Sequence, residues 1–359
     1  MNETRHSGFR IAKAVTAATT VILASLTGCD SGPPDLTEKI PQSPAWQKKF
    51  TSETYCTDIR NGAVNYVSGN KITLLDARSG ADRWTSADLG KNYSCPLYTP
   101  SAVYYGIGTN SVGALNPNTG KALWQQKYDD FGDESRERPC ASDSAIHFLV
   151  NSTIVTVNPK TRKQEWEHEE QEDMWVDHMT ASENTVIITT PNGKVRGLKA
   201  SDGREIWTYT TPGHARIRKE PLAKGKTVYF SSYDGYAYAL SADTGKLEWK
   251  TKLGGSTDWY PLLVGGTVFL ADDYKLNALD IKDGHIEWKK DYDIYRSGAS
   301  VGNNLVYFNS EKNRFDGIDP HDGSVAWRLN MKEATLNWFL GDGLLYVNTQ
   351  SHLNAYKLP

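Results

Sequence analysis

The stretch Ala239-Leu240-Ser241-Ala242-Asp243-Thr244-Gly245-Lys246-Leu247-Glu248-Trp249 decides the fold, because the chain repeats its pattern at a nearly constant spacing. Ala114–Trp124 has the same order of Ala-Leu, three residues, Thr-Gly, three residues and Trp. Self-similarity with a period near 40 residues is typical of propellers and related repeat folds. The Trp of the pattern recurs at Trp46, Trp84, Trp124, Trp166, Trp207, Trp249, Trp288 and Trp327.

Each repeat carries signals for four short strands. A Gly lies four residues before the Trp in six of the repeats from Trp84 onward, and Arg162 holds that place in the seventh. Gly suits the positive φ of a tight turn. β-rich runs such as Val228-Tyr229-Phe230 come earlier in each repeat, and turn signals such as Asp234-Gly235 follow them. No 11-residue window shows a helical period. Four strands per repeat predict one blade of a β-propeller.

The two ends of the chain each supply part of a blade. Trp46 has no strands of its own before it, and the strands around 334–359 have no Trp after them. We therefore predict an all-β, eight-bladed β-propeller of four-stranded antiparallel blades over residues 46–359. Its ring closes when the N-terminal strand at 46–50 becomes the outermost strand of the C-terminal blade, which removes the open edges. The repeat Trp residues are interpreted as packing residues between blades, not as a stack for a substrate.

Composition excludes several classes of protein. The chain has 359 residues, 40 Lys and Arg against 43 Asp and Glu, and a net charge of −3. That balance disfavours a nucleic-acid binder driven by a basic surface. No apolar run approaches the roughly 20 residues that cross a bilayer as a helix, which excludes a polytopic membrane protein.

The N-terminal sequence predicts where in the cell the protein is located. Basic residues precede an apolar run from Ala14 to Leu26, which ends in Leu26-Thr27-Gly28-Cys29. This order is typical of a secretory signal peptide, predicted over 1–28. Leu-x-Gly-Cys resembles the bacterial lipobox, which makes Cys29 the expected lipidation site and anchors the protein to a membrane from outside the cytoplasm. Residues 29–45 are rich in Pro and Ser and predict a flexible tether. Asp30 resembles a retention signal and favours the cell membrane over the outer membrane.

The repeat resembles that of the PQQ-type β-propellers, and the resemblance covers about residues 46–359. Within that superfamily, an eight-bladed propeller behind a lipobox is similar to the BamB family of lipoproteins, which belong to the outer-membrane β-barrel assembly machinery. We predict a membrane-anchored extracytoplasmic scaffold that binds an envelope protein or peptide, as a monomer and without nucleic acid; the resemblance implies a role in envelope protein assembly. It is specific for the fold and weak for the function.

The superfamily also contains quinoprotein dehydrogenases, which makes a PQQ-dependent dehydrogenase one alternative. The resemblance implies that such an enzyme would be a longer chain with a disulfide between adjacent cysteines beneath the quinone. In this chain, Cys56, Cys95 and Cys140 are far apart. No stretch has the spacing of a calcium loop, a zinc site, a P-loop or a catalytic triad. We therefore predict no enzyme activity, no cofactor and no metal.

Three cysteines remain once Cys29 is assigned to lipid. Cys56 and Cys95 each lie eight residues before the Val of a β-rich run, so they occupy equivalent places in consecutive blades. A Cys56–Cys95 disulfide is the preferred pairing, Cys95–Cys140 is the alternative, and the separation of neighbouring strands could prevent either.

The segment before each innermost strand does not repeat its residue types, so packing does not dictate it. It is rich in Arg and aromatic side chains, the residues that dominate binding hot spots. The alternatives are that these residues plug the channel or cover blade edges, or that they bind a small ligand such as a sugar or cell-wall fragment. The candidate partner-binding residues are Tyr55, Tyr93, Arg136, Arg138, Trp175, His178, Arg216, Arg218, Trp259, Tyr260, Tyr295, Arg296 and Trp338.

Overall fold

The computed structural model describes the chain from residue 43 to residue 358 with several gaps. The described ranges are 43–49, 54–60, 62–90, 95–107, 111–127, 138–150, 153–169, 176–217, 219–255, 259–272, 275–292, 299–303, 305–311, 314–331, 333 and 335–358. For residues 54–60, 107, 310 and 311 only the backbone is described. The predicted signal peptide, Cys29 and most of the predicted tether therefore lie outside the described residues.

The described chain folds into 32 strands and one 3₁₀ turn at Pro212–His214. The strands of the first half are β1 (Trp46–Lys49), β2 (Thr54–Arg60), β3 (Ala63–Ser68), β4 (Lys71–Asp76), β5 (Asp82–Thr85), β6 (Leu97–Tyr98), β7 (Val103–Ile107), β8 (Ser111–Leu115), β9 (Ala122–Lys127), β10 (Cys140–Ala141), β11 (Ile146–Val150), β12 (Thr153–Val157), β13 (Gln164–Glu169), β14 (His178–Ala181), β15 (Thr185–Thr189) and β16 (Lys194–Lys199). Those of the second half are β17 (Glu205–Thr210), β18 (Leu222–Lys224), β19 (Thr227–Ser232), β20 (Tyr236–Ser241), β21 (Leu247–Lys252), β22 (Leu262–Val264), β23 (Thr267–Asp272), β24 (Lys275–Asp280), β25 (Ile286–Asp291), β26 (Ala299–Gly302), β27 (Leu305–Glu311), β28 (Arg314–Ile318), β29 (Val325–Asn330), β30 (Asn337–Gly341), β31 (Leu344–Asn348) and β32 (His352–Lys357).

These strands form eight four-stranded sheets, which are the eight blades of a propeller. Blades 1 to 7 each take four consecutive strands, from β2–β5 through β26–β29, paired antiparallel in chain order. Blade 8 consists of β30, β31 and β32 with β1 as its outermost strand. Trp46 lies opposite Ala355 and Lys49 opposite His352 in that closing pair. The predicted fold and its ring closure are confirmed.

The repeat Trp joins each blade to the next. In six of the eight repeats the indole N–H donates to a backbone carbonyl of the following blade over 2.8–3.0 Å, for example from Trp207 to Ala242. The same ring lies on the repeat Gly of that blade. A Cβ added to Gly245 would lie 2.5 Å from Trp207, and Gly245 also has a φ of +65°. Conformation and contact therefore both require Gly at this place. Arg162 keeps the left-handed backbone, with a φ of +61°, although it carries a Cβ.

The core lies between the blades, in eight apolar clusters that each combine side chains from two neighbours. An aromatic ring of the second strand often packs on the Trp of the same blade, as Tyr229 does on Trp249 with centroids 6.0 Å apart. His147 takes this place beside Trp166. Burial lowers the pKa of His147 to about 3. Its neutral ring instead bonds Thr156 and Ser142 over 2.8 and 3.0 Å.

Within the described residues, no helix is long and apolar enough to cross a membrane. This finding covers neither the apolar run at Ala14 to Leu26 nor the lipobox.

The cysteines differ in their chemical state. Cys95, just before β6, is disulfide-bonded. Cys140 opens β10 and stands outside any disulfide. The side chain of Cys56 lies outside the described residues, so the Cys56–Cys95 pairing stays a prediction.

We expect thiol labelling of the unfolded, lipidated chain without reductant to modify Cys140 alone. Reducing a Cys56–Cys95 disulfide should lower the free energy of unfolding by about 4 kcal/mol, the entropic value for a loop of roughly 40 residues. Peptide mass mapping would identify the partner of Cys95. Three labelled cysteines per chain would contradict the prediction.

Candidate functional site

The segments before the innermost strands meet at one face of the propeller. Each blade is entered from the outermost strand of the blade before it, so all innermost strands start at the same face. Innermost strands of consecutive blades lie side by side, as β10 does with β14 and β26 with β30. The turns between second and third strands reach this face as well, since antiparallel strands alternate in direction. We call this face, formed by these segments and turns, the mouth face.

Six of the candidate residues are described with their side chains. They are Arg138, His178, Arg216, Trp259, Tyr260 and Trp338. The other seven fall outside the described side chains: Tyr55, Tyr93, Arg136, Trp175, Arg218, Tyr295 and Arg296.

An ion pair links the segments that enter blades 4 and 5. Arg216 donates from Nε and Nη2 to the two carboxylate oxygens of Asp177, over 2.8 and 2.6 Å. The Asp177 side chain is 5% exposed, whereas that of Arg216 is 45% exposed. The hydrogen bond from Arg216 to Asp177 raises the pKa of the guanidinium further. This fork fixes the orientation of an exposed cation, a geometry that suits recognition of a carboxylate or a peptide.

A second contact links the segments that enter blades 5 and 6. The ammonium of Lys219 lies 5.3 Å from the centre of the Tyr260 ring. Tyr260 is 46% exposed and Tyr233, on the second turn of blade 5, is 40% exposed. The backbone N–H of Tyr233 donates to the Arg216 carbonyl over 3.1 Å. Two cations and two exposed tyrosines therefore share the mouth of blades 4 to 6.

Core packing and hydrogen bonds fix the segment between Thr211 and Leu222 on the propeller. Ile217, which follows Arg216, is fully buried in the cluster between blades 4 and 5. The Thr211 hydroxyl donates to the Ala215 carbonyl over 2.7 Å, and the Gly193 carbonyl lies 3.1 Å from the same hydroxyl oxygen. The buried Ile217 anchors the segment, while the neighbouring Arg216 is exposed. The sequence His-Ala-Arg-Ile-Arg-Lys over 214–219 carried this signal.

Two of the predicted residues pack inside the propeller. Trp259 is 6% exposed and belongs to the core between blades 6 and 7. Trp338 packs on Phe315 with ring centroids 5.3 Å apart, on the core between blades 7 and 8. Sequence reasoning did not find Asp177 or Lys219. Their roles come from contacts across a blade boundary, which no local pattern records.

The opposite face carries a small titratable group. Among the described residues, ligand atoms of Asp280, Asp283 and His285 lie within 4.8 Å of one another in the turn before β25. Asp283 and His285 are exposed. A hydrogen bond to Asp283 raises the pKa of His285. The group is distant from the mouth face, because the turn joins the third and fourth strands.

Known proteins match this chain in sequence. The family described as "Outer membrane protein assembly factor BamB" matches residues 68–237 and 213–342. The BamB of Vibrio cholerae is 30% identical over 35% of this chain and 36% of its own length. The BamB of Yersinia pestis is 24% identical over 63% of this chain and 62% of its own length. The chain thus spans less than two thirds of these two relatives.

Solved structures share the fold. BamB from Moraxella catarrhalis has a TM-score of 0.67 at 15% identity, covering 87% of this chain and 100% of that one. A quinohemoprotein alcohol dehydrogenase from Comamonas testosteroni has a TM-score of 0.64 at 13% identity, covering 88% of this chain and 77% of that one. A tetrathionate hydrolase from Acidithiobacillus ferrooxidans is 24% identical over 54% of this chain and 36% of its own length. The likeness to the dehydrogenase, at 13% identity, shows the fold alone. The family match, which covers most of the propeller, shows that this chain belongs to the PQQ-repeat propeller family of the outer membrane protein assembly factor BamB.

Proposed function

We propose that this protein is an extracytoplasmic scaffold that binds a protein partner during envelope protein assembly, through the mouth face of blades 4 to 6. The observation that carries the proposal is the oriented, exposed Arg216 on buried Asp177, beside Lys219 and Tyr260. Arg and Tyr at a rigid, well-packed position are typical of hot spots in protein interfaces. Family membership supports the assembly role, since the matched relatives are named as assembly factors.

The proposed domain organisation places this propeller outside the cytoplasm on a lipid anchor. Cys29 would carry the lipid after removal of residues 1–28, and the tether would let the mouth face reach its partner. The relatives are named as factors for the outer membrane, so the preference for the cell membrane drawn from Asp30 gains no support from them.

The enzyme alternative has less in its favour. The dehydrogenase resembles this chain at 13% identity, which shows the fold alone, and the hydrolase matches it over only 36% of the hydrolase's own length. The described mouth residues also suit contact with a partner better than catalysis, because the cations there are held by a carboxylate and an aromatic ring.

The proposal is tested by reversing charge at the mouth face. We expect Arg216→Glu combined with Lys219→Glu to lower photo-crosslinking from position 260 to an envelope protein by about tenfold, which corresponds to ~1.4 kcal/mol of binding. The level of assembled outer-membrane proteins should fall with it in a strain that expresses only this variant.

The matched control is Lys246→Glu with Lys282→Glu, which makes the same charge change in turns of the opposite face. It should keep both readouts at the wild-type level. Undiminished crosslinking in a mouth-face variant that melts like the wild type would refute the proposed site.

A further inference from the structure

A polar cavity lies where the ring closes, between blade 7 and blade 8. Its volume is about 290 Å³. Three parts of the chain line it: the segment that leads into β1, including Gln47; the end of blade 7, including Glu333; and blade 8, with Thr349, Asn354 and Tyr356. The mouth-face residues of blades 4 to 6 do not line it, so the cavity is separate from the proposed partner site.

Blade 8 departs from the repeat at this cavity. Tyr356 occupies a register position at which the seven other blades carry a fully buried aliphatic residue. Those residues are Leu75, Leu115, Val157, Leu198, Leu240, Leu279 and Ile318. Asn354 lies opposite Gln47, one position along from the residue that pairs with the repeat Trp. At the same position, blade 5 places the larger Tyr238 opposite Lys250. Tyr356 thus brings a hydroxyl group to a position that is aliphatic in the seven other blades.

The side chains that line the cavity from blade 8 are buried and polar. Thr349 is 3% exposed, Asn354 is 4% exposed and Tyr356 is 7% exposed. Gln47 donates its amide to Asn354 Oδ1 over 2.8 Å, which fixes that side chain. Burial and then the charge of Glu333 raise the pKa of Tyr356, so the hydroxyl stays protonated and can donate. The hydroxyl and amide groups of this lining are therefore available to a polar ligand in the cavity.

The residue types that line the cavity indicate which class of ligand it suits. None of the lining residues is Lys, Arg or His, which disfavours phosphate and other anions. Amides and hydroxyls both donate and accept, which is what vicinal hydroxyl groups require. Met331 and Pro44 supply apolar surface beside them. The volume lies at the lower end of small-molecule sites. We propose that this cavity binds a neutral, polyhydroxylated molecule of about the size of a monosaccharide.

The test titrates the purified propeller with glucose and N-acetylglucosamine, and in separate arms with inorganic phosphate and methylammonium. Binding is followed by saturation-transfer NMR and by the melting temperature, which a bound ligand raises by mass action. We expect saturable binding of at least one sugar with a Kd below about 1 mM. Tyr356→Phe should weaken it by about fivefold, through loss of one hydrogen bond. Asn354→Tyr, which gives blade 8 the residue of blade 5, should fill the cavity and abolish binding.

Gln125→Ala is the matched control, because Gln125 follows the repeat Trp of blade 2 as Gln47 follows that of blade 8. It should bind like the wild type. The proposal is overturned if neither sugar binds, if phosphate or methylammonium binds more tightly than both sugars, or if Tyr356→Phe, in a fully folded state, binds sugar as tightly as the wild type.

Discussion

Replacing Gly245 by Ala is expected to lower the free energy of unfolding by about 3 kcal/mol. The added Cβ would lie 2.5 Å from the ring of Trp207, at a backbone φ of +65°. A left-handed backbone costs a residue other than Gly roughly 1–2 kcal/mol, and forcing a methyl group into a packed site costs about 1–3 kcal/mol. Both terms apply at once, because the ring lies between two rigid blades. Urea unfolding followed by Trp fluorescence would measure the loss.

Gly225→Ala is the matched control for this prediction. Gly225 has a similar φ of +56°, but a Cβ there would meet nothing within 4 Å. It should therefore lose only the backbone term, about 1 kcal/mol. The difference between the two variants isolates the contact with Trp207. Equal losses would show that the repeat Gly is needed for its conformation and not for the indole.

Replacing Trp46 by Ala is expected to cost about 3 kcal/mol and to loosen the closure of the ring. The indole of Trp46 donates to the Ala77 carbonyl over 2.9 Å and packs on Tyr346 with centroids 5.8 Å apart. Removal of a large packed aromatic ring typically costs about 3–5 kcal/mol, and Trp46 is only partly buried, which places it at the lower end. The substitution therefore acts on both sides of the boundary between blades 8 and 1.

Hydrogen exchange of β1 and β32 would measure this effect locally, together with global unfolding in urea. Lys49→Ala in the same strand is the control, since Lys49 is exposed and faces away from the core. It should change stability by less than about 0.5 kcal/mol. If Trp46→Ala leaves the exchange of β32 at the wild-type rate, β1 does not hold the last blade.

The sequence was sufficient for the architecture because one physical requirement recurs in six of the eight blades. A wide ring such as Trp207 must lie against a residue without a side chain, and that residue must take a positive φ, so Trp and Gly repeat together. Arg162 shows the limit of this reasoning, because it meets the φ requirement alone. The two ends of the chain could be paired from the sequence, because the N-terminal end has a repeat Trp without the strands before it and the C-terminal end has those strands without a Trp.

The candidate site was less accessible to sequence reasoning. A position whose residue type differs from blade to blade is one that the shared packing does not dictate. That difference does not show whether the side chain is exposed or buried. Tyr260 and Trp259 are neighbours in sequence, yet one faces solvent and the other lies in the core. The partners of Arg216 and Tyr260 lie on other segments, and such pairings depend on how blades meet in space. The cavity beside Tyr356 could not be predicted either, because it exists only where β1 joins the last blade.

The pairing of β1 with β32 also means that the two strands of one sheet are synthesised at very different times. Gln47 and Asn354, which bond across that pair, are 307 positions apart. At a synthesis rate of roughly 5–20 residues per second, the first strand leaves the ribosome some 15–60 s before its neighbour does. Throughout that interval the strand has exposed backbone groups and an uncovered indole. The ring therefore closes only when synthesis is almost complete, and the first strand stays without its neighbour until then.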